Sequence, residues 1–362
     1  MPDPKEQEIT LVYVGTYTTA KSGGIYVYRL DPSTGVMKYV SRAVVKNPSF
    51  LVISPDQQFL YSVGVFDRNQ GGVFSFSICP QTGELIPLNS VSAKGRGPCH
   101  LSVDSTGKYV FVANYGDGSV AMFPVQDDGQ LSEASSFIRH QGSSVNPRRQ
   151  KGPHAHSITI DPGNHFAFAA DLGLDKVMIY KLDLKQRKLV TNESPFAQVA
   201  PGAGPRHFDF HQSGKFAYVI NEMNSTLTAF TYDAAAGKLS EIQTVPTLPA
   251  DFKGRNSCAD IHVHPNGKFL YGSNRGHNSI VIFAIDQQTG RLTLVGHEST
   301  KGEIPRNFGI DPTGKILLAA NQKTNNIFSF HIDPGTGKLK ATGHSIDVGA
   351  PVCVKFIRRP AK

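Results

Sequence analysis

A short phrase that recurs along the whole chain constrains the fold more than any other feature. It reads "DPSTGVM" at Asp31, "CPQTGEL" at Cys79, "QDDGQL" at Gln126, "DLKQRKL" at Asp183, "DAAAGKL" at Asp233, "DQQTGRL" at Asp286 and "DPGTGKL" at Asp333, seven copies spaced 47 to 57 residues apart. Each follows an alternating run such as "GGIYVYRL", "SIVIFAI" or "NIFSFHI". Alternation at period two is the mark of a strand, and Asp, Pro, Thr and Gly between strands make hairpin turns. A second phrase recurs out of phase, in six copies: "SPDQQFL" at Ser54, "DSTGKYV" at Asp104, "DPGNHFA" at Asp161, "HQSGKFA" at His211, "HPNGKFL" at His264 and "DPTGKIL" at Asp311.

The missing copy is informative. The chain ends with "APVCVKF", an inner strand without its turn, and begins with "ITLVYVGTY", a second strand without its inner partner. The two termini together complete a seventh unit. The repeat therefore predicts an all-β seven-bladed β-propeller of four-stranded antiparallel blades, its last blade closed by both chain ends. Ring closure leaves only short, protected sheet edges, and a linear array would not need complementary half-units. One domain over 9–358 is expected, behind a flexible tail at 1–8. The absence of Trp argues against WD-type repeats.

Hydrophobic residues make up 39% and charged residues 18%, the balance of a globular chain. No apolar run approaches the roughly 18 residues of a membrane helix. The start "MPDPKEQEIT" has no apolar leader segment. Cytoplasmic location is the expectation, or periplasmic or secreted if a leader has been removed. Cys79, Cys99, Cys258 and Cys353 form no CxxC pair and read as reduced thiols. The net charge of +8 suits anionic partners. Its one basic cluster, "NPRRQK" at 146–151, lacks interleaved aromatics, so no nucleic acid is expected. No apolar stripe stands outside the repeat, which predicts a monomer or weak dimer.

Counting back from the second phrase locates the inner strands. One and three places before it stand apolar pairs such as Ile53/Leu51, Ile160/Ile158 and Phe210/Phe208, which should pack between blades. Two and four places before stand mostly polar residues, among them Ser102/His100, Asp209/His207 and His262/Asp260. Side chains alternate across a strand, so these should line a wetter central channel. Five places before, at the strand entrance, stand Cys99, His156, Arg206 and Arg306. The second strands end at Tyr17, Tyr115, Asp171, Glu222, Arg275 and Gln322. An antiparallel pair brings such starts and ends to one face, so His156, Arg206, Glu222, Arg275 and Arg306 should share one mouth. His154 and His207 lie close by.

Three arginines at one mouth form an anion site, because a guanidinium matches the geometry of carboxylate or phosphate. Alternatively, they serve local ion pairs with Glu222 or Asp260. Glu222 and His156 are candidate acid–base groups. The histidines do not supply a convincing metal site beside several cations, so no metal and no cofactor is expected. There is no G-x-S-x-G motif and no phosphate-cradling glycine loop.

The phrases "GPRH" at 204–207, "NEMNS" at 221–225, "ADIH" at 259–262, Arg275 and "PRNF" at 305–308, with the opening "YVGTYT", resemble the lactonase family of seven-bladed propellers. That family includes the propeller-type 6-phosphogluconolactonase and the fungal carboxymuconate cyclase, and the similarity runs from about Ile9 to Phe356. The resemblance implies His156, Arg206, Glu222 and Arg275 as the catalytic set. Arg306 joins them as an anion-binding group, and His154, His207, Asp260 and His262 complete the expected substrate contacts. Two extra residues in "KGPHAHSI" leave His154 as a rival to His156, although the register favours His156. The implied reaction is hydrolysis of a sugar lactone, foremost 6-phosphogluconolactone in the pentose phosphate pathway. A muconate-type cyclase and a non-catalytic propeller binding sugar acids or proteins are the alternatives. The expected partner is a small anionic lactone. Glu222 would activate water and His156 would protonate the leaving alkoxide, or the two roles are exchanged.

Overall fold

The computed structural model describes residues 8–67 and 70–360. Within them, 28 strands form seven four-stranded antiparallel sheets. Six sheets take four consecutive strands each. The seventh runs β28 (Pro351–Pro360), β1 (Glu8–Thr16), β2 (Ile25–Leu30), β3 (Met37–Ala43). Both chain ends thus share one blade, and β1 and β28 pair from Glu8↔Pro360 to Thr16↔Pro351. Glu8, expected in the tail, belongs to β1. Residues 1–7 lie outside the described residues.

The inner strands are β4 (Leu51–Ile53), β8 (Pro98–Val103), β12 (Ala155–Ile160), β16 (Pro205–Phe210), β20 (Ser257–Val263), β24 (Pro305–Ile310) and β28. Each contacts the next in turn, and β28 contacts both β24 and β4, which closes the ring.

The two repeated phrases have physical jobs. In the second phrase the leading side chain caps a turn: Asp161 Oδ1 accepts the backbone N–H of His165 at 2.7 Å and of Phe166 at 2.6 Å. In the first phrase Asp286 Oδ1 accepts Gln288 N–H at 3.0 Å and Thr289 N–H at 2.8 Å. The glycine that follows is left-handed (Gly290, φ 70°), and a Cβ there would lie 2.4 Å from the Phe216 ring of the preceding blade. Glycine is needed twice over, for its backbone angle and for the close approach of neighbouring blades. "DLKQRKL" lacks it, and Arg187 takes the left-handed angle instead (φ 56°).

The core lies between blades. Phe208 and Phe210 pack with Phe166, Phe168, Phe230 and Tyr232 in one such layer. The Phe168 and Phe208 rings stack with centroids 5.5 Å apart. The centre of the ring differs from expectation. Instead of a wet channel it holds a packed plug, in which His100 lies 4.2 Å from Phe50 and 5.2 Å from His207, ring centre to ring centre. Side chains from opposite blades meet there, so Phe50, His100, His207, Asp260 and Asn307 are all buried.

Candidate active site

A β-bulge builds the mouth. In β8, β12, β16 and β24 the pairing slips by one residue, between Pro98/His100, Ala155/Ser157, Pro205/His207 and Pro305/Asn307. The residues passed over are Cys99, His156, Arg206 and Arg306. Strict alternation would send them between the blades with the apolar residues two and four places on. A bulge adds a residue and re-aims a side chain, and here it turns all four toward the ring axis. In β20 the slip spans Cys258 to Ile261. There it leaves the Cys258 and Ala259 carbonyls free to accept bonds from Arg275 and Arg206.

These bulges and the ends of the second strands frame a cavity of about 460 Å³ lined by Tyr17, Tyr115, Arg149, His156, Glu222 and Arg275, with Cys99 and Arg306 beside them. Glu222 is its hub. Arg149 Nη2 donates to Oε1 at 2.8 Å, while Arg206 Nε at 3.1 Å and Arg275 Nη2 at 2.9 Å donate to Oε2. His156 Nε2 lies 4.0 Å from the same Oε2. Arg306 has no carboxylate partner among the described residues; its guanidinium sits 5.5 Å from the Tyr17 ring centre, a cation–π contact.

The mouth therefore carries four guanidiniums against one carboxylate. Burial alone would raise the Glu222 carboxyl, but Arg275, Arg206 and Arg149 outweigh it and hold the group at about 2. Arg206 is only 2% exposed. Burial, with the fields of Arg275 and Arg306, pulls its guanidinium down to about 9. Burial also holds His156 well below 6.5, aided by Arg206, His207 and Arg306. His156 is consequently neutral at pH 7. The Cys99 thiol, 3.8 Å from His156 Nδ1, is pushed up to about 12 by burial despite Arg206 and Arg306.

Of the residues singled out in the sequence, His156, Glu222, Arg275 and Arg306 line the cavity, and Arg206 stands directly behind it, bonded to Glu222. His154 does not join them. It stacks on the outer face of Tyr115 at 4.5 Å and borders a neighbouring cleft with Arg96, Asp117, Arg139 and Lys151. His207 and Asp260 lie in the plug beneath the cavity, bonded to each other at 2.6 Å. His262 opens at the opposite end of the ring, into a separate cavity of about 240 Å³. The cause is the strand period: residues four places and then two places before the turn phrase sit progressively deeper along the axis. Asp171 is also absent from the mouth. It pairs with Ala155 as Asn221 pairs with Pro205, so Leu172 is the counterpart of Glu222.

Arg149 is the residue that sequence reasoning missed. It lies in the basic cluster "NPRRQK", on the loop between β11 (Ser136–Arg139) and β12. Gln150, bonded to Leu172 O at 2.9 Å and Asp175 Oδ1 at 2.8 Å, fixes that loop. Tyr115 OH accepts from Arg149 Nη2 at 3.1 Å. A basic cluster inserted directly before a mouth strand was the available signal. Among the described residues no group of three or more His, Cys, Asp or Glu side chains could hold a metal ion, no helix is long and apolar enough to cross a membrane, and all four cysteines are free.

A family model described as "Lactonase, 7-bladed beta-propeller" matches residues 11–356. The 6-phosphogluconolactonase of Bacillus subtilis is 40% identical, over 96% of this chain and 98% of that protein. The 6-phosphogluconolactonase of Formosa agariphila is 39% identical, over 83% of this chain and 86% of that protein. The solved structure of a periplasmic gluconolactonase from Pseudomonas aeruginosa superposes with a TM-score of 0.92 at 36% identity, over 97% of this chain and 99% of that one.

Proposed function

The chain belongs to the lactonase family of seven-bladed β-propellers, and on that premise we propose that it hydrolyses an anionic sugar lactone, 6-phosphogluconolactone foremost, to the open-chain acid. One observation carries the reading. Four arginines face a single carboxylate beside a neutral histidine, which leaves an unbalanced positive field over a cavity of about 460 Å³.

Arg306, with no carboxylate of its own, is the group for the phosphate or other anionic substituent. Arg206 and Arg275 are anchored through Glu222, and their remaining donors serve the lactone oxygens. Donors fixed in advance where charge develops lower a barrier without reorganising. Glu222 itself is a poor base, since both its oxygens already accept hydrogen bonds from guanidinium groups. Its role is to aim them. His156 is the proton carrier. Its neutral ring takes a proton from water as the water oxygen bonds to the lactone carbonyl carbon, and a tetrahedral oxyanion forms under the arginines. As the ring carbon–oxygen bond breaks, His156 returns that proton to the departing alkoxide. The product is a hydroxy acid, and the imidazole is neutral again. Acid–base help of this kind is worth about 10²–10⁴-fold, which suits a bond that already hydrolyses readily.

The test couples production of 6-phosphogluconate to its dehydrogenase. The wild type should exceed spontaneous hydrolysis, and Arg306→Leu should raise KM for the phosphorylated lactone by about tenfold or more, the loss of a charge-assisted contact, while changing KM for plain gluconolactone little. A wild type with no rate above background on phosphorylated, plain or muconate-type lactones would leave only a binding protein. Equal KM increases for both lactones in Arg306→Leu would remove the phosphate assignment.

A further inference from the structure

Beneath the mouth runs a chain of buried hydrogen bonds whose direction can be read from donor and acceptor chemistry alone. Arg206 Nη1 lies 3.1 Å from His207 Nε2, and His207 Nδ1 lies 2.6 Å from Asp260 Oδ1. Asp260 Oδ2 accepts from His262 Nε2 at 3.0 Å, from the Asn307 side-chain amide and from the backbone N–H of Phe308 at 3.4 Å. A guanidinium only donates. His207 Nε2 must therefore present a lone pair, and Nδ1 must carry the proton given to Asp260. Burial, with the Arg206 charge, agrees by holding His207 down at about 4. The ring is also wedged in place, 5.2 Å from His100 and 5.4 Å from His156.

We infer that His207 and Asp260 are positioning residues for Arg206: Asp260 locks the Nδ1–H tautomer of His207, whose Nε2 then holds Arg206 Nη1 and leaves Arg206 Nη2 for the substrate. The inference rests on the hydrolase reading above. Arg206 is anchored on two of its three nitrogens, Nε by Glu222 and Nη1 by His207 and the Ala259 carbonyl. Nη2 has no hydrogen-bond partner among the described residues. The acceptor at Nη1 is neutral, which matters. A second carboxylate there would fix Arg206 equally well but cancel the charge an anionic substrate needs. The imidazole transmits the position set by Asp260 and keeps its charge one ring away.

The tautomer is directly measurable. In protein labelled with 15N-histidine at pH 7, His207 should show a pyrrole-type Nδ1 and a pyridine-type Nε2, identified by their loss in His207→Gln. His207→Leu should lower kcat by about ten- to a hundredfold, the range for groups that orient a catalytic residue, with little change in KM. His207→Gln places an amide oxygen near the Nε2 position and should recover most of that loss. Asp260→Asn is the sharper variant. The donors at Oδ2 force its single oxygen to that side, so its amide N–H groups face His207 Nδ1. The tautomer should flip, with the two 15N signals exchanged and kcat lowered. An Nε2–H or doubly protonated His207 in the wild type overturns the inference, as does wild-type kcat in both His207→Leu and Asp260→Asn. A wild type without any lactone turnover defeats the hydrolase reading instead, and the tautomer measurement still decides the relay.

Discussion

Replacing Glu222 with glutamine tests the charge balance of the mouth. The side chain keeps its shape and loses one negative charge among three guanidiniums. The Glu222 carboxyl moves from an ordinary 4.5 to about 2 on folding. Its side chain is only 8% exposed, so the difference can be read as stability. A fall from 4.5 to about 2, at about 1.4 kcal/mol per pH unit, gives about 3 kcal/mol. The sign follows from linkage. A depressed carboxylate stabilises the fold above its unfolded value of 4.5 and loses that contribution as pH falls toward 2. Glu222→Gln should therefore cost about 3 kcal/mol at pH 7 but only about 1 kcal/mol at pH 3, where much of the difference between Glu222 and an amide has gone. Urea denaturation of both proteins at the two pH values measures it. Inorganic phosphate should restabilise the variant more than the wild type, because an anion can occupy the field that Glu222 no longer offsets. A cost below about 1 kcal/mol at pH 7, or one that does not shrink toward pH 3, would refute the idea that Glu222 is a buried counter-ion for this cluster.

The pH profile of kcat/KM should be flat from pH 8 to 6 and fall below that as His156 takes up a proton, since its folded value lies well under 6.5; a midpoint at or above 7 would remove His156 as the base. Below pH 6.5 the unfolded chain binds that proton first, so the fold itself also loses stability there. Arg187→Gly should stabilise by about 0.5–1 kcal/mol, since it relieves a left-handed non-glycine residue, and a lower thermal midpoint would count against the turn argument. Iodoacetamide at pH 8 should leave activity intact even though Cys99 lines the cavity, because its thiol at about 12 remains protonated; rapid inactivation that Cys99→Ser abolishes would show a thiolate instead.

The ring was legible from the repeats because each phrase does a local job. A side-chain acceptor caps the turn, a left-handed glycine seats against the preceding blade, and the half-units at the ends must meet. The mouth was legible only in part. Counting along strands found Arg206, Glu222, Arg275 and Arg306, since a strand start and the end of its partner share a face whatever the details. The count could not find the bulges that aim Cys99, His156, Arg206 and Arg306, because an extra residue breaks the periodicity on which the count relies. The contact of Arg149 with Glu222 was not legible either, although its basic cluster was, for a related reason. It reaches Glu222 from an irregular loop whose path is set by the bonds of its neighbour Gln150 to Leu172 and Asp175, residues remote from it in sequence. The plug was misread as a wet channel because polar residues on an inner strand satisfy one another across the axis as readily as they face water. Asp260, with its three kinds of donor, is the clearest case.

The bulges and the plug also explain how a site this unbalanced survives folding. Several guanidiniums beside one carboxylate repel one another, and buried charge without a partner is costly. The fold meets that cost with acceptors that carry no charge. Cys258 and Ala259 offer carbonyls released by the bulge in β20, Ser257 offers another to Arg275 Nε at 3.3 Å, and His207 offers a ring nitrogen. Each satisfies an N–H without neutralising the arginine behind it. Had carboxylates been used instead, the cluster would be more stable and the field over the cavity would vanish. The positive mouth is thus a product of backbone irregularity as much as of arginine content, and substitutions that regularise the bulges, such as deletion of one residue from an inner strand, should abolish anion binding before they unfold the ring.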